Sequence, residues 1–102
     1  MKSRFHEAAD AELAEAVLYY DRRAPGLGDR LVAEVKSATR SIEQYPEIAS
    51  IIEGGVRAKV LLRFPYSLMY IVEPHEIFIV AVSHHSKRPS YWADRIPPET
   101  DS

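Results

Sequence analysis

The sequence predicts a small α+β fold in which a helical hairpin packs on one face of an antiparallel sheet, in the order β-α-α-β-β-β. Three observations lead to this prediction. The first half of the 102-residue chain repeats apolar residues at helical spacing, the second half holds three apolar runs of strand length, and proline or glycine separates the segments. We expect one domain over residues 1–96 and a C-terminal tail over residues 97–102.

One short strand and two helices are predicted in the first half. Residues 3–5 suit a strand, and the spacing of apolar residues predicts a helix over 7–22. Pro25 and Gly26 end this helix, and a second amphipathic helix is predicted over 27–44. Because the connection is so short, the two helices should run antiparallel and share one surface of the sheet.

The second half predicts a meander of three strands with a helical turn after it. Residues 46–55 read as a loop, and alternation then predicts a strand over 56–64. A bend containing proline leads to a strand over 66–73, and a proline turn leads to a third over 77–84. The third strand is apolar at nearly every position, so we expect it to be central and covered on both faces. One or two helical turns, capped by Ser90, are expected through Arg95, and Pro97-Pro98 would close the ordered part.

Composition excludes several classes of site. The chain has no cysteine, which removes disulfides, thiolate metal sites and cysteine nucleophiles, and it indicates no cofactor. No apolar run approaches the roughly 20 residues of a membrane helix, and the first residues do not read as a secretory signal. We therefore expect a cytoplasmic protein that does not enter membranes.

The net charge of −2 hides a gradient along the chain. Residues 1–56 carry seven Lys and Arg against ten Asp and Glu, whereas residues 57–95 carry six against three. A ligand that binds residues 57–95, which hold the predicted meander, should be anionic or acidic. The excess of positive charge is nevertheless small for a protein that binds nucleic acid through many phosphate contacts.

Basic residues of the first meander strand could form a binding face with the residues that follow the last strand. The alternation should turn Arg57, Lys59 and Arg63 away from the main core. The basic, imidazole and aromatic residues near the C-terminus are His84, His85, Lys87, Arg88, Tyr91, Trp92 and Arg95. Guanidinium groups bind phosphate or carboxylate, and a histidine or tyrosine beside them could move a proton during phosphodiester cleavage. The alternative is a solvated basic face that only keeps the sheet from aggregating.

The adjacent histidines do not favour a metal site. Neighbouring strand residues point to opposite faces, so His84 and His85 should diverge, with one buried by the C-terminal segment and the other exposed. His6 and His75 are expected on the solvated surface.

Two pairs of aromatic residues stand out. Tyr91 and Trp92 could stack on a base or cover the open face of the sheet, and covering the sheet is favoured. The pair of tyrosines at positions 19 and 20 is expected to lie half in the core and half on a surface.

The sequence resembles the RelE/ParE superfamily of toxins from type II toxin–antitoxin (plasmid stabilisation) systems. The resemblance covers residues 3–95. The residues that carry it are Val56-Arg57, Phe64-Pro65-Tyr66, Tyr70, Ala81-Val82-Ser83-His84, Arg88-Pro89, Tyr91-Trp92 and Arg95, together with Glu7-Ala8, Tyr19-Tyr20 and the long second helix. The Phe-Pro-Tyr bend and the Arg-Pro-Ser-Tyr-Trp end are most similar to ParE-like members.

The resemblance implies a helical hairpin on an antiparallel sheet and a cognate antitoxin that neutralises the protein. A ParE-like member would inhibit growth by binding DNA gyrase, without catalysis of its own. A RelE-like member would instead cleave messenger RNA on the ribosome. The positions that would then be catalytic are Arg57, Arg63, His84, Arg88 and Tyr91. The mild positive charge and the acidic helices favour the ParE-like branch.

Candidates for binding the target or the antitoxin are Lys59, Arg63, His85, Lys87, Arg88, Trp92 and Arg95. A degenerate module without toxicity is a further alternative. An apolar flank of the hairpin could also support a homodimer.

Overall fold

A computed structural model, which describes residues 1–98, places two helices on one face of a five-stranded sheet. Of the expected C-terminal tail, residues 99–102 lie outside the described part of the chain. The elements are β1 (Lys2–Phe5), α1 (Glu7–Arg23), α2 (Leu27–Gln44), β2 (Ile51–Glu53), β3 (Val56–Val60), β4 (Tyr66–Val72), β5 (Glu76–His84) and a 3₁₀ turn (Ala93–Arg95). The predicted fold class is confirmed.

Two features of the sheet differ from the prediction. The strand order is β1-β5-β4-β3-β2, and β1 runs parallel to β5, so the sheet is mixed. A parallel pair needs a crossover connection, which the helical hairpin between β1 and the meander supplies. The expected loop 46–55 contains β2, which folds back on β3 through Gly54 and Gly55. Both glycines have positive φ (56° and 80°), which permits this tight turn.

Strand β5 is central, as predicted. It lies between β1 and β4, and Ile77 to Val82 are all buried. The helices cover one face, against which Leu31, Val35 and Ile42 of α2 pack with Leu68, Tyr70, Ile77 and Ile79 of the sheet. Alanines on the inner side of α1 let that helix approach the sheet closely, and Ala9 and Ala16 are buried.

The second face of β4 and β5 is covered by the segment after β5. Trp92 is only 3% exposed and belongs to a cluster with Val56, Met69, Phe78 and Val80. The favoured interpretation of Trp92, that it covers the open sheet face, is confirmed.

A close approach fixes the helical hairpin. The Gly28 N–H at the start of α2 donates a 2.9 Å hydrogen bond to Oδ1 of Asp21 in α1. A Cβ atom on Gly28 would lie 2.8 Å from that carboxylate, so the contact requires glycine. No helix within residues 1–98 is long and apolar enough to cross a membrane.

Candidate functional site

The basic residues of the first meander strand lie elsewhere than predicted. Arg57 is paired with Tyr70 and Lys59 with Leu68, and both partners belong to the helix-side core. Directly opposed residues share a face, so Arg57 and Lys59 lie on the helix side of the sheet rather than away from it. Arg57 Nη1 donates to the Ala49 carbonyl oxygen at 2.6 Å.

Arg63 is not on a strand, because β3 ends at Val60 instead of continuing to residue 64. The Glu34 carboxylate of α2 accepts the backbone N–H groups of Leu62 and Arg63. These bonds take the place of strand pairing and hold a loop between β3 and β4. Leu62 is consequently 93% exposed and Arg63 lies at the surface.

Tyr91 and Arg95 are bound to one carboxylate, that of Glu12 on α1. Arg95 donates to both carboxylate oxygens, Nη1 to Oε1 at 2.9 Å and Nη2 to Oε2 at 3.1 Å. The Tyr91 hydroxyl donates to Oε2 at 2.6 Å, and the Val82 N–H donates to Oε1 at 3.0 Å. We call Glu12, Tyr91, Arg95 and the Val82 N–H the Glu12 network. It joins three parts of the fold, which are α1, the C-terminal segment, and the edge of β5 that extends beyond the end of β1.

Burial and the bond to Glu12 together raise the pKa of Tyr91 to about 12. The hydrogen bond from Arg95 to Glu12 also raises the pKa of Arg95 above its usual value. Both side chains of the ion pair are largely buried, at 16% and 19% exposed. The pair therefore works chiefly to hold the fold together.

The two adjacent histidines have separate environments. His84 is half-buried and its ring meets Tyr66 edge-on at 5.0 Å, so Tyr66 rather than the C-terminal segment covers it. His85 is exposed, and its Nε2 lies 2.9 Å from Ser67 Oγ. Within residues 1–98, no three carboxylate or imidazole groups are placed to hold a metal ion. The expectation of a solvated His6 was wrong, because its Nδ1 accepts the Ala8 N–H and caps α1.

The loop after β5 carries Lys87 and Arg88, which are both exposed. Ser90 has a positive φ of 63°, and its hydroxyl donates to Glu53 of β2, so the loop is anchored across the second face of the sheet. Register places Arg57 opposite Tyr70, whereas His84 lies opposite Tyr66, about 13 Å further along β4. The predicted basic residues thus do not all converge.

What the structure brings together is a cleft between α1 and the ends of β4 and β5. Two adjoining cavities, of about 330 and 600 Å³, share the lining residues Tyr19, Tyr66, His84 and Lys87, and Arg23 borders the second. We call these five residues the tyrosine cleft. Tyr20, which also borders the second cavity, packs against the helix-side core while Tyr19 is 51% exposed, as expected for this pair.

A larger groove of about 800 Å³ lies between α2 and the β3–β4 loop. Leu27, Leu62, Phe64 and Pro65 supply its apolar lining, and Arg30 and Arg63 are the cations in its wall. On the outer edge of the sheet, Ile51 and Ile52 of β2 are each at least half exposed. We call this groove and edge the apolar surface.

Sequence reasoning missed the acidic residues that organise these sites. Glu12 and Glu34 each accept backbone N–H groups distant in sequence, 70 residues away for Val82 and 28 for Leu62. The only signal was a charged residue next to an apolar stripe, which exposed helix positions share. Tyr66 was read as part of a bend, and only the packing of α1 on the sheet brings it together with Arg23.

Fold and site together define a small α+β protein whose exposed apolar surface is suited to binding another protein. A family model described as the ParE toxin of type II toxin–antitoxin system, parDE, matches residues 4–89. The chain therefore belongs to the ParE family of type II toxins.

A solved structure described as the chromosomal ParDE TA system from P. aeruginosa is similar to this chain, with a TM-score of 0.73 and 22% identity. The similarity covers 82% of this chain and 95% of that one, and it shows a shared fold. No curated protein sequence matches this chain.

Proposed function

We propose that this chain is a ParE-like toxin that arrests growth by binding DNA gyrase and is neutralised by a cognate antitoxin. The family match over residues 4–89 supports a toxin, and the state of Tyr91 favours binding over catalysis. A tyrosine with its proton bonded to a carboxylate and a pKa near 12 is poorly suited to proton transfer at neutral pH.

One of the remaining candidates for catalysis supports the same reading. Arg57 is engaged with a backbone carbonyl. His84 lies in the tyrosine cleft with Lys87, which is the observation that favours the RelE-like ribonuclease as the second candidate. Arg57 lies opposite Tyr70, about 13 Å along β4 from the residue opposite His84, which supports a function that does not use both side chains at one phosphate.

The apolar surface is the proposed contact for the antitoxin. Leu62 is 93% exposed on a loop held by Glu34, and such an apolar group fixed at the surface suits contact with another protein. The short outer strand β2 leaves backbone groups at the sheet edge, where a partner strand could add. Arg30, Arg63 and Glu34 line the groove, and the Glu34 carboxylate already accepts backbone N–H groups, so the two arginines favour a partner segment that carries acidic residues.

Induced expression tests the toxin proposal directly. Growth should stop when the chain is expressed alone and resume when a small reading frame next to its gene is co-expressed. Purified protein should block supercoiling by gyrase and leave transcripts on translating ribosomes intact. Cut transcripts with normal supercoiling would establish the ribonuclease instead, and uninhibited growth would establish a non-toxic module.

Leu62→Asp tests the proposed antitoxin contact. The side chain is already in water, so the variant should fold and remain toxic while the antitoxin no longer rescues growth. Leu18→Asp, a change at another exposed leucine (56% exposed), is the matched control and should still be rescued. Full rescue of Leu62→Asp would move the contact elsewhere. A second copy of this chain could instead occupy the same surface. In that case wild type should be a dimer in solution, and Leu62→Asp should dissociate it.

A further inference from the structure

The tyrosine cleft combines an aromatic wall with positive charge, and the proposed binding of gyrase does not use that combination. Tyr66 meets His84 edge-on at 5.0 Å and Tyr20 at 6.4 Å, and Tyr20 in turn meets Tyr19 edge-on at 5.1 Å. This series of perpendicular contacts fixes the ring orientations. Tyr19 remains half exposed, so its ring is accessible to a planar ligand.

Two cations border this wall. Arg23 Nη1 donates to the Tyr19 hydroxyl at 3.1 Å, and its guanidinium carbon lies 5.5 Å from the Tyr19 ring centre. Lys87 lies on the other side, with its ammonium 5.8 Å from the Tyr91 ring. Within residues 1–98 neither cation is in a salt bridge, whereas Arg4 and Arg95 are. Their charge is therefore available to an anion.

His84 adds a hydrogen-bond donor to the same cleft. Its Nδ1 accepts the Ser86 backbone N–H at 3.0 Å, so the neutral ring carries its proton on Nε2. An N–H donor, an ammonium and a guanidinium are the groups that recognise phosphate oxygens.

The opposite end of the cleft limits how much negative charge it can accept. Glu12 and Glu15 line that end, and Glu12 is neutralised by Arg95 while Glu15 is exposed on α1. A polyphosphate would bring further negative charge close to Glu15. One phosphate attached to a flat aromatic ring matches both the cations and the tyrosines.

We propose that the tyrosine cleft binds a nucleoside monophosphate, with the base on Tyr19 and Tyr66 and the phosphate between Arg23 and Lys87. The base stacks on the tyrosine rings, which is an interaction that tolerates different bases. The five residues of the tyrosine cleft are not among those of the apolar surface, and the proposed binding of gyrase does not use them, so failure of either proposal would leave the other standing.

The test is titration of the full-length protein, at low salt, with adenosine, guanosine, cytidine and uridine monophosphates. Calorimetry measures affinity, and the ring-proton NMR signals of tyrosine and histidine locate the ligand. At least one nucleotide should bind saturably and shift the signals of Tyr66 and His84. Adenosine and inorganic phosphate, which each supply half of the ligand, should bind at least about tenfold more weakly.

Matched surface variants separate a specific site from general electrostatics. Arg23→Ala and Tyr19→Ala should each weaken binding about tenfold. Arg22→Ala removes the same charge from the neighbouring helix position, and Tyr45→Ala removes another exposed ring, so both should leave affinity unchanged. All four side chains are exposed, so the variants should fold.

Three results from the nucleotide titrations and the variants would overturn the proposal, and a fourth would come from RNA. They are the absence of saturable binding by any of the nucleotides, binding of inorganic phosphate as tight as that of the best nucleotide, and equal losses in Arg22→Ala and Arg23→Ala. Binding of single-stranded RNA without any binding of the monophosphates would also overturn it and identify the cleft as part of a nucleic-acid surface.

Discussion

The Glu12 network makes the most quantitative prediction about stability. Glu12→Ala would leave the largely buried Arg95 guanidinium without its carboxylate and remove the acceptor of the Tyr91 hydroxyl and the Val82 N–H. Breaking a buried pair by removing one partner costs about 3–5 kcal/mol. Because both side chains keep some contact with water, we expect a loss near the lower end, about 3 kcal/mol.

Urea unfolding of wild type and Glu12→Ala measures this loss, with both proteins followed by tryptophan fluorescence and circular dichroism. For a chain of this length the same loss should lower Tm by roughly 12 °C or more. Glu15→Ala removes an exposed carboxylate from the same helix and should change stability by less than about 0.5 kcal/mol. A loss below about 1 kcal/mol in Glu12→Ala would refute the role given to the network, since a single ordinary hydrogen bond would account for it.

Three further predictions concern neighbouring features. The pKa of Tyr91 is raised in the folded state, so its hydroxyl should stabilise the protein fully below pH 10 and lose this effect as the pH rises from about 10 to about 12. The difference in unfolding free energy between wild type and Tyr91→Phe should therefore shrink over that range. A constant difference would contradict the bond to Glu12. Gly28→Ala places a Cβ 2.8 Å from the Asp21 carboxylate and should break the bond from the residue 28 N–H, so it should gain none of the stability that alanine usually gives a helix over glycine. In an Asp21→Ala background the same change should raise Tm, and a rise in Tm for Gly28→Ala alone would contradict the contact. Trp92→Ala should cost about 3–5 kcal/mol by urea unfolding and expose the second sheet face to a hydrophobic dye; an unchanged midpoint would show that Trp92 does not cover that face.

Much of the fold could be predicted because local signals agree with the tertiary structure. Predicted and observed bounds coincide for α2 and differ by one residue at the end of α1, where Pro25 and Gly26 follow closely. The apolar run of β5 correctly indicated a central strand. Strand β2 escaped notice because its three residues are too few to establish a periodic pattern.

The candidate site was harder to predict because long-range hydrogen bonds decide it. Alternation continued past Val60 in the sequence, yet the Glu34 carboxylate binds the next N–H groups and ends β3. The face of Arg57 and Lys59 was misassigned because the strand has apolar residues on both sides, and a shift of one residue reverses every side chain. Tertiary partners, which a single sequence does not reveal, determine both outcomes.

The central claim is that this ParE family member acts by binding and that Tyr91 is structural. Growth arrest by Tyr91→Phe, induced beside wild type at matched levels of folded protein, tests this claim most directly. We predict arrest as complete as that of wild type, since the ring still packs and only a hydroxyl is lost. The claim would be contradicted if wild type cuts transcripts, whereas cells that contain the folded variant grow normally and keep those transcripts intact.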